Sequence, residues 1–437
     1  MMAVAVLRRS VTDIFVQPRS VGAQLARNTF WAIAGSVSSQ GSSLLAALVL
    51  GRVLGVKLLG ELALVQATVI LLGNLGDMGL ALTTTKLVSK WREVDPDRAG
   101  RLLGWTLRNI GMSALAAAAV LALVMPRLPF GGVQALAPEL WAACGVLVFD
   151  MLNRVQLGAL SGLEAFESTA RVQLSRGILM LPCVWIGAEY GGLVGALAGM
   201  SCVSLGTCTV GHWILKRKCR ELSIRVRYGG APEASAITTS ASLWVAALLL
   251  AGSTWAATLL LSQQAGFSQL GLYNAADKWK TALTFLPQML FQVTLPMLSN
   301  RQALGDKRGC LRIVYMALGA TVGVTGAAAV VVASFSRMFM SAYGAAFIAG
   351  ASVLSLTAAG SVVSAIYTVG AGVLWAIGKP IQMLGVDFFK TCLILGLCWA
   401  GLAHSAWSLA LCYLLSFTVG SLMIMLVVRR QLGMQHG

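Results

Sequence analysis

Long apolar stretches alternate with short polar stretches along the whole chain. A helix needs about 20 mostly apolar residues to cross a bilayer, because it rises only about 1.5 Å per residue. The pattern predicts twelve such spans, near residues 29–50, 60–83, 104–125, 138–162, 170–188, 191–214, 237–262, 270–298, 311–334, 345–376, 381–402 and 405–428. The expected fold is therefore an all-α polytopic membrane protein.

The longest polar segment divides these spans into two groups of six. It predicts a cytoplasmic N-terminal segment 1–27, a six-helix bundle 28–215, a basic cytoplasmic linker 216–235, a second six-helix bundle 236–430 and a cytoplasmic tail 431–437. The motif GVKLLG at 55–60 recurs as GFSQLG at 266–271, an offset of 211 residues at which Asp95 also matches Asp306 and Arg101 matches Arg312. We therefore expect two pseudo-symmetric bundles with a site between them near the middle of the membrane.

The composition excludes a soluble enzyme with a membrane anchor. Hydrophobic residues make up 57% of the chain and charged residues 11%, whereas a soluble domain carries about 25% charged residues. The net charge of +17 would suggest nucleic acid on a soluble protein. Here 23 of the 33 Lys and Arg residues fall in segments that are cytoplasmic if both termini are, and four fall on the opposite side. This asymmetry predicts that orientation and explains most of the charge without nucleic acid.

No motif for catalysis, nucleotide binding or metal binding is present. The nine cysteines form no CxxC pair, and the three histidines are scattered. The sequence has no phosphate-binding loop, GxSxG or HExxH motif. We expect a protein that is not an enzyme and that uses neither a metal nor a cofactor. A membrane glycosyltransferase or polymerase would need a large outer loop with catalytic groups, and no predicted outer loop approaches that size.

Ten charged residues lie inside the predicted spans beyond their first and last turns, where charges are costly and mark pathways or binding sites. Six bases against four acids give a net charge of +2, which favours an anionic headgroup over a cation as the transported group. Two pairs lie on common helix faces, Asp150 with Arg154 and Asp387 with Lys390, and are predicted to be structural or pathway pairs. The ten residues are Asp77, Asp150, Asp277, Asp387, Arg108, Arg154, Arg176, Lys278, Lys280 and Lys390.

Lys278 and Lys280 are the main candidates for a cationic site in a wet cavity, with Arg154 and Arg176 as further cationic steps. The two lysines differ by about 200° around a helix, so both cannot face one narrow seam. We expect Lys280 to face the cavity, with Trp279 beside it as a surface for sugar stacking. The other lysine then pairs with Asp277 or reaches a neighbouring helix.

Asp77 is the candidate for ion coupling. It lies ~24 Å along its span from Glu61 and has no obvious base on the same face. A carboxylate held away from water can take up and release a proton or bind sodium. The simpler interpretation is an aspartate that is hydrogen-bonded near the inner interface.

Two stretches resemble one family of membrane proteins, the Wzx-type O-antigen and polysaccharide flippases of the multidrug/oligosaccharidyl-lipid/polysaccharide exporter superfamily. The resemblance covers roughly residues 25–430 and is specific at these stretches. The first holds Leu54-Gly55, Gly60-Glu61, Gln66-Ala67-Thr68 and Gly76-Asp77-Met78-Gly79-Leu80; the second holds the residues from Tyr273 to Lys280, Phe285-Leu286-Pro287 and Leu295-Pro296-Met297-Leu298-Ser299.

The resemblance implies a V-shaped pair of six-helix bundles around a central cavity. It also implies flipping of undecaprenyl-pyrophosphate-linked sugar units, such as O-antigen, capsule or exopolysaccharide repeats, across the bacterial inner membrane. Cationic cavity residues of such proteins are thought to meet the pyrophosphate or acidic sugars. By position in the matched motifs, the resemblance carries over to Asp77, Lys278 and Lys280. The implied partners are the lipid-linked oligosaccharide, the bilayer, a polysaccharide polymerase and a chain-length regulator, with no nucleic acid.

Two rival interpretations remain open. One is an ion-coupled drug or small-molecule antiporter of the same superfamily. The other is a major-facilitator transporter, since residues 97–101 (Asp-Arg-Ala-Gly-Arg) look like the loop signature of that architecture. Glu93 stands where that signature needs its leading glycine, and Leu102 replaces its second base.

Overall fold

The computed structural model describes residues 21–128, 133–227, 234–303 and 307–431, and in these ranges all regular structure is helical. The α-helices are α1 Val21–Asp77, α2 Leu80–Trp91, α3 Pro96–Ala119, α4 Ala137–Gly162, α5 Phe166–Glu221, α6 Ala234–Ala303, α7 Lys307–Ser334, α8 Ser336–Ser341, α9 Ala351–Ala376, α10 Pro380–Leu397 and α11 Ala406–Gln431. Short 3-10 helices lie at Met125–Arg127, Gln134–Leu136 and Ala345–Gly350, and π-helical turns at Val120–Val124 and Cys398–Leu402.

Three of these helices cross the membrane twice, because each turns sharply at one glycine. Gly55 of α1, Gly192 of α5 and Gly266 of α6 have φ values of 78°, 56° and 81°. Such positive φ values are accessible to glycine without steric cost. The described residues hold nine helices long and apolar enough to span a membrane, and dividing these three gives twelve crossing segments. The predicted polytopic all-α fold is confirmed.

All three glycine turns lie at the same end of the bundle, because the segments alternate in direction. We call this the Gly55 end; the sequence predicts that it faces the periplasm. Each turn divides its helix into two arms: residues 21–54 and 56–77 in α1, 166–191 and 193–221 in α5, and 234–265 and 267–303 in α6.

The two halves share one core at the Gly55 end and have separate cores at the opposite end. The shared core joins residues such as Leu62 and Leu140 of the first half to Leu261 and Tyr343 of the second. At the opposite end, one core surrounds Leu103 in the first half, and another surrounds Leu374 in the second. Burial of apolar side chains thus joins the halves mainly at one end, which gives the V shape.

The contact between halves is most extensive between α1 and α6. The arm 56–77 of α1 and the arm 234–265 of α6 are also joined by hydrogen bonds. Trp255 donates to the Thr68 hydroxyl at 3.0 Å, and Trp244 donates to the Asn74 carbonyl at 2.6 Å. The other two arms, 21–54 and 267–303, enclose a cavity instead.

Exposed tryptophans mark both ends of the spans. Four with well-exposed side chains lie near the Gly55 end and two near the opposite end, as expected for aromatic belts at the two membrane interfaces. They are Trp141, Trp185, Trp399 and Trp407, and then Trp213 and Trp375. The chain is a multi-pass membrane protein.

Candidate functional site

A central cavity of about 220 Å³ lies between the two halves, near the middle of the membrane. Its polar lining side chains come from helix α4 and from five arms of the three turned helices. Counted from the nearest glycine turn, Lys278 lies ~18 Å and Arg176 ~24 Å below the Gly55 end, within a hydrocarbon core about 30 Å thick. The polar lining residues are Ser43, Gln66, Asp150, Arg176, Ser204 and Lys278.

Asp150 and Arg176 form an ion pair in the wall of this cavity. The guanidinium nitrogens lie 3.2 and 3.3 Å from the two carboxylate oxygens of Asp150. The hydroxyl of Ser204 donates to the same carboxylate at 2.8 Å. Helix α4 and the two arms of α5 thereby fix the Arg176 side chain at the cavity, with its charge largely balanced.

The predicted pair of Asp150 with Arg154 is therefore wrong. Arg154 lies one turn further from the Gly55 end, where its guanidinium donates to the Asn74 side chain at 2.7 Å. A neighbouring helix supplies the partner of Asp150 instead. Arg154 does not belong to the lining of the central cavity, and its role as a further cationic step stays a prediction.

Lys278 faces the cavity, whereas Lys280 does not. Lys278 lines the central cavity and also a second cavity of about 330 Å³ between the arms 21–54 and 267–303, which we call the side cavity. Lys280 points into the second half, 3.5 Å from Asp277 and 5.4 Å from the ring centres of Tyr413 and Phe417. The preference for Lys280 as the cavity lysine is thus reversed; the expectation that only one lysine faces the seam is consistent with the structure.

Trp279 lies in the second half, away from the central cavity. Its ring packs edge-on against Phe339, with 4.7 Å between ring centres. Its indole nitrogen is buried among the described residues. The prediction that Trp279 offers a sugar-stacking face in the cavity is therefore corrected: one helical step of about 100° turns it away from Lys278.

The predicted pair of Asp387 and Lys390 is present and buried. The ammonium of Lys390 lies 2.8 Å from the carboxylate of Asp387. Tyr367 donates to the same carboxylate at 2.6 Å, and Lys390 lies 4.0 Å above the Tyr367 ring. These three groups satisfy one another within the second half, which is the arrangement of a structural pair.

Asp77 lies where α1 ends. Its carboxylate oxygen accepts the backbone N–H of Ala81 at 3.4 Å, in the first turn of α2. Met78 and Gly79 between the two helices have φ values of 47° and 73°. The carboxylate thus contacts the start of the next helix, which agrees with the hydrogen-bonded interpretation, and its role in ion coupling stays a prediction.

One polar feature near the cavities escaped the sequence analysis. The first span contains the run SVSSQGSS over residues 36–43, and its side chains line the central cavity, the side cavity and a third pocket described below. Six polar residues among eight in a spanning helix is a signal visible in the sequence.

The first span can follow the fifth closely because both carry glycines at their contact. A Cβ atom at Gly177 would lie 2.4 Å from the Ser38 hydroxyl, and one at Gly35 would lie 2.9 Å from the Cα atom of Ala170. This packing positions the polar run beside Arg176. Among the described residues, no group of three or more His, Cys, Asp or Glu side chains is arranged to hold a metal ion.

Comparison of the sequence with protein-family models finds one match. The model described as "Polysaccharide biosynthesis protein" matches residues 25–302, which is more than half of the chain. No curated protein has a sequence that matches at a significant level.

Several solved transporter structures share the fold. The inward-facing conformation of a multidrug resistance MATE family transporter of the MOP superfamily has 12% identity and a TM-score of 0.71, covering 97% of this chain and 98% of that one. A MOP superfamily transporter from Pyrococcus furiosus, described as having reverse polarity of its binding pocket, has 14% identity and a TM-score of 0.69, with coverages of 94% and 98%.

A variant of the Vibrio cholerae MATE transporter VcmN is similar as well. It has 16% identity and a TM-score of 0.67, with coverages of 94% of this chain and 97% of that one. At these identities the likeness establishes the fold alone. That fold is the two-bundle architecture of the MOP superfamily, so the major-facilitator alternative is set aside.

Proposed function

Because the chain belongs to the polysaccharide biosynthesis protein family, we propose that it flips undecaprenyl-pyrophosphate-linked oligosaccharide from the cytoplasmic to the periplasmic face of the bacterial inner membrane. The bundles 28–215 and 236–430 would alternate in opening the central cavity to the two sides. Both termini would then lie in the cytoplasm. A polysaccharide polymerase and a chain-length regulator are the expected partners that receive the flipped unit.

The observation that carries this proposal is the meeting of Lys278 and Arg176 in one central cavity between the halves. Lysine binds phosphate as a point charge. The two terminal nitrogens of Arg176 already hold Asp150, but a guanidinium has five N–H donors, and the remaining ones can donate to a phosphate. With Asp150 counted, the cavity lining carries a net charge of +1. Such a site attracts a pyrophosphate but holds it weakly enough for release, which a transporter requires.

Lys278 has no ion-pair partner within the described parts of the chain, unlike Lys280 and Lys390. An ammonium held within the membrane without a fixed partner is costly unless water or a ligand satisfies it. An anionic headgroup that enters the cavity supplies that partner. The side cavity, walled by Val37, Leu44, Ala282 and Phe285, then offers an apolar surface next to the same lysine.

An ion-coupled drug or small-molecule antiporter is the second candidate. It is favoured by the apolar part of the central cavity, where Val69, Ile70, Met180 and Met200 face the opening. The positive charge of the lining argues against the cationic compounds that many drug exporters carry. Loss of the gene should therefore leave resistance to cationic drugs unchanged.

The test is complementation of a strain from which the gene has been removed. The wild-type gene should restore surface polysaccharide, whereas Lys278→Ala, at equal membrane levels, should leave lipid-linked units inside the cell. Lys278→Arg should restore export because it keeps the charge. Lys57→Ala, an exposed lysine near the Gly55 end, is the matched control. Full export by the Lys278→Ala variant would contradict the proposal.

A further inference from the structure

A third cavity, which we call the polar pocket, adjoins the central cavity inside the first half. Its volume is about 220 Å³, and it lies between α4, the arm 21–54 of α1 and the arm 166–191 of α5. Arg176 belongs to the lining of both, so the two cavities meet at this side chain. The polar lining residues are Ser36, Ser39, Gln40, Asn153, Gln173 and Arg176.

Most of these polar groups are not hydrogen-bonded within the described structure. Many hydroxyls elsewhere in the spans donate to a carbonyl one turn earlier, as Thr68 does to Leu64 and Thr106 does to Leu102. Asn153 is only 3% exposed, and its Oδ1 atom has no hydrogen-bond partner there. A buried amide oxygen left without a donor is costly, because it has lost its water and gained nothing in return, so the pocket is better suited to hold a hydrogen-bonding ligand than to stay closed.

The pocket is nearly uncharged. Its single charged side chain, Arg176, is balanced by Asp150 at 3.2 Å. Neutral amides and hydroxyls both donate and accept hydrogen bonds, which matches the hydroxyl and acetamido groups of a neutral sugar. A carboxylated sugar would find no unbalanced cation here.

The three cavities adjoin one another and differ in chemistry. The side cavity presents mainly apolar walls, and it shares Lys278 with the central cavity and Gln40 with the polar pocket; the central cavity and the polar pocket share Arg176. A lipid-linked sugar joins the same three kinds of group: an apolar chain, phosphates and sugar. Resting on the proposed function, we infer that the polar pocket binds the sugar nearest the pyrophosphate and that it selects a neutral hexose or N-acetylhexosamine.

Binding measurements on the purified full chain in lipid nanodiscs test this inference. Three ligands are compared: bare polyprenyl pyrophosphate, the same lipid bearing one N-acetylhexosamine, and the same lipid bearing one uronic acid. The wild-type protein should bind the N-acetylhexosamine lipid at least tenfold more tightly than either of the others. Asn153→Leu, which keeps the number and the branching of the side-chain heavy atoms, should abolish that gain and leave the binding of bare lipid unchanged.

Gln173→Leu gives an independent check, since the half-buried Gln173 lines the polar pocket and neither of the other two cavities. Asn109→Leu is the control, because Asn109 lies on α3 and donates to the carbonyl of Trp105. Equal losses for bare and sugar-bearing lipid, or no gain from the sugar in the wild type, would overturn the inference alone. A wild-type protein that binds none of the three lipids would overturn the proposed function as well.

Discussion

Gly60 and Gly271 occupy equivalent positions in the two halves and contact each other's backbone near the Gly55 end. A Cβ atom at Gly60 would lie 1.9 Å from the carbonyl oxygen of Phe267, and one at Gly271 would lie 1.9 Å from that of Val56. The repeat offset of 211 residues relates both Gly60 to Gly271 and Val56 to Phe267. The contact is therefore reciprocal, as a two-fold axis along the membrane normal requires.

This contact leads to a prediction about stability. Gly271→Ala should lower the melting temperature of the protein in detergent, because the new methyl group displaces the Val56 carbonyl; overpacking of this kind costs about 1–3 kcal/mol. Gly252→Ala on the same helix is the matched control, since nothing lies within 4 Å of its Cβ position. If the two variants unfold at the same temperature, the contact between the two halves does not depend on the absence of a side chain at Gly271.

The buried pair of Asp387 and Lys390 in the second half should behave differently from Lys278 in the cavity. Asp387→Ala leaves the Lys390 ammonium buried without its carboxylate, a change that costs about 3–5 kcal/mol in comparable sites. Replacing both members, with Asp387→Ala and Lys390→Met together, should recover part of that loss. Thermal unfolding in detergent measures both variants. A single variant as stable as the wild type would contradict the structural role of the pair.

A substitution at Asp77 can remove its negative charge and keep its hydrogen bond to the start of α2. Asn can accept the same backbone hydrogen bond at the start of a helix, so Asp77→Asn should fold normally. If Asp77 couples transport to an ion, this variant should lose the dependence of flipping on the proton or sodium gradient. Flipping with the wild-type dependence on both gradients would remove Asp77 from coupling and leave it only its contact with α2.

The orientation of the chain is testable with reporter fusions. Fusions at Gln134 and Gln264 should report a periplasmic location, and a fusion at Pro232, which lies outside the described residues, a cytoplasmic one. The reason is the excess of Lys and Arg on the side opposite the glycine turns. A cytoplasmic signal from Gln264 would contradict the orientation of the second half.

The architecture could be predicted from the sequence because the features that determine it are local and repeated. Apolar length predicts each span, and the 211-residue repeat predicted the equivalence of Gly55 with Gly266, which the structure confirms as matching helix turns. The matching loop residue Asp306 lies outside the described parts of the chain. Spacing predicted the partner of Lys390 but not the partner of Asp150.

Two corrections have the same physical origin. Spacing of four residues allows Asp150 to meet Arg154, but the structure offers Asp150 the closer guanidinium of Arg176 from another helix. The angle of about 200° between Lys278 and Lys280 around the helix correctly predicted that they face different sides. It did not predict which of them faces α1, because that depends on how the helix is rotated in the bundle. Which side chains pair between helices is determined by the tertiary packing.

The central claim is that the cavity at Lys278 carries a lipid-linked pyrophosphate across the membrane. The most direct measurement follows a fluorescent polyprenyl-pyrophosphate-linked sugar in proteoliposomes that contain the purified protein, with the label quenched from outside to count flipped molecules. The wild-type protein should move the label between leaflets, and Lys278→Ala should slow this at least tenfold, while Lys57→Ala should not. No flipping by the wild type under any imposed gradient, or equal rates for wild type and Lys278→Ala, would contradict the account.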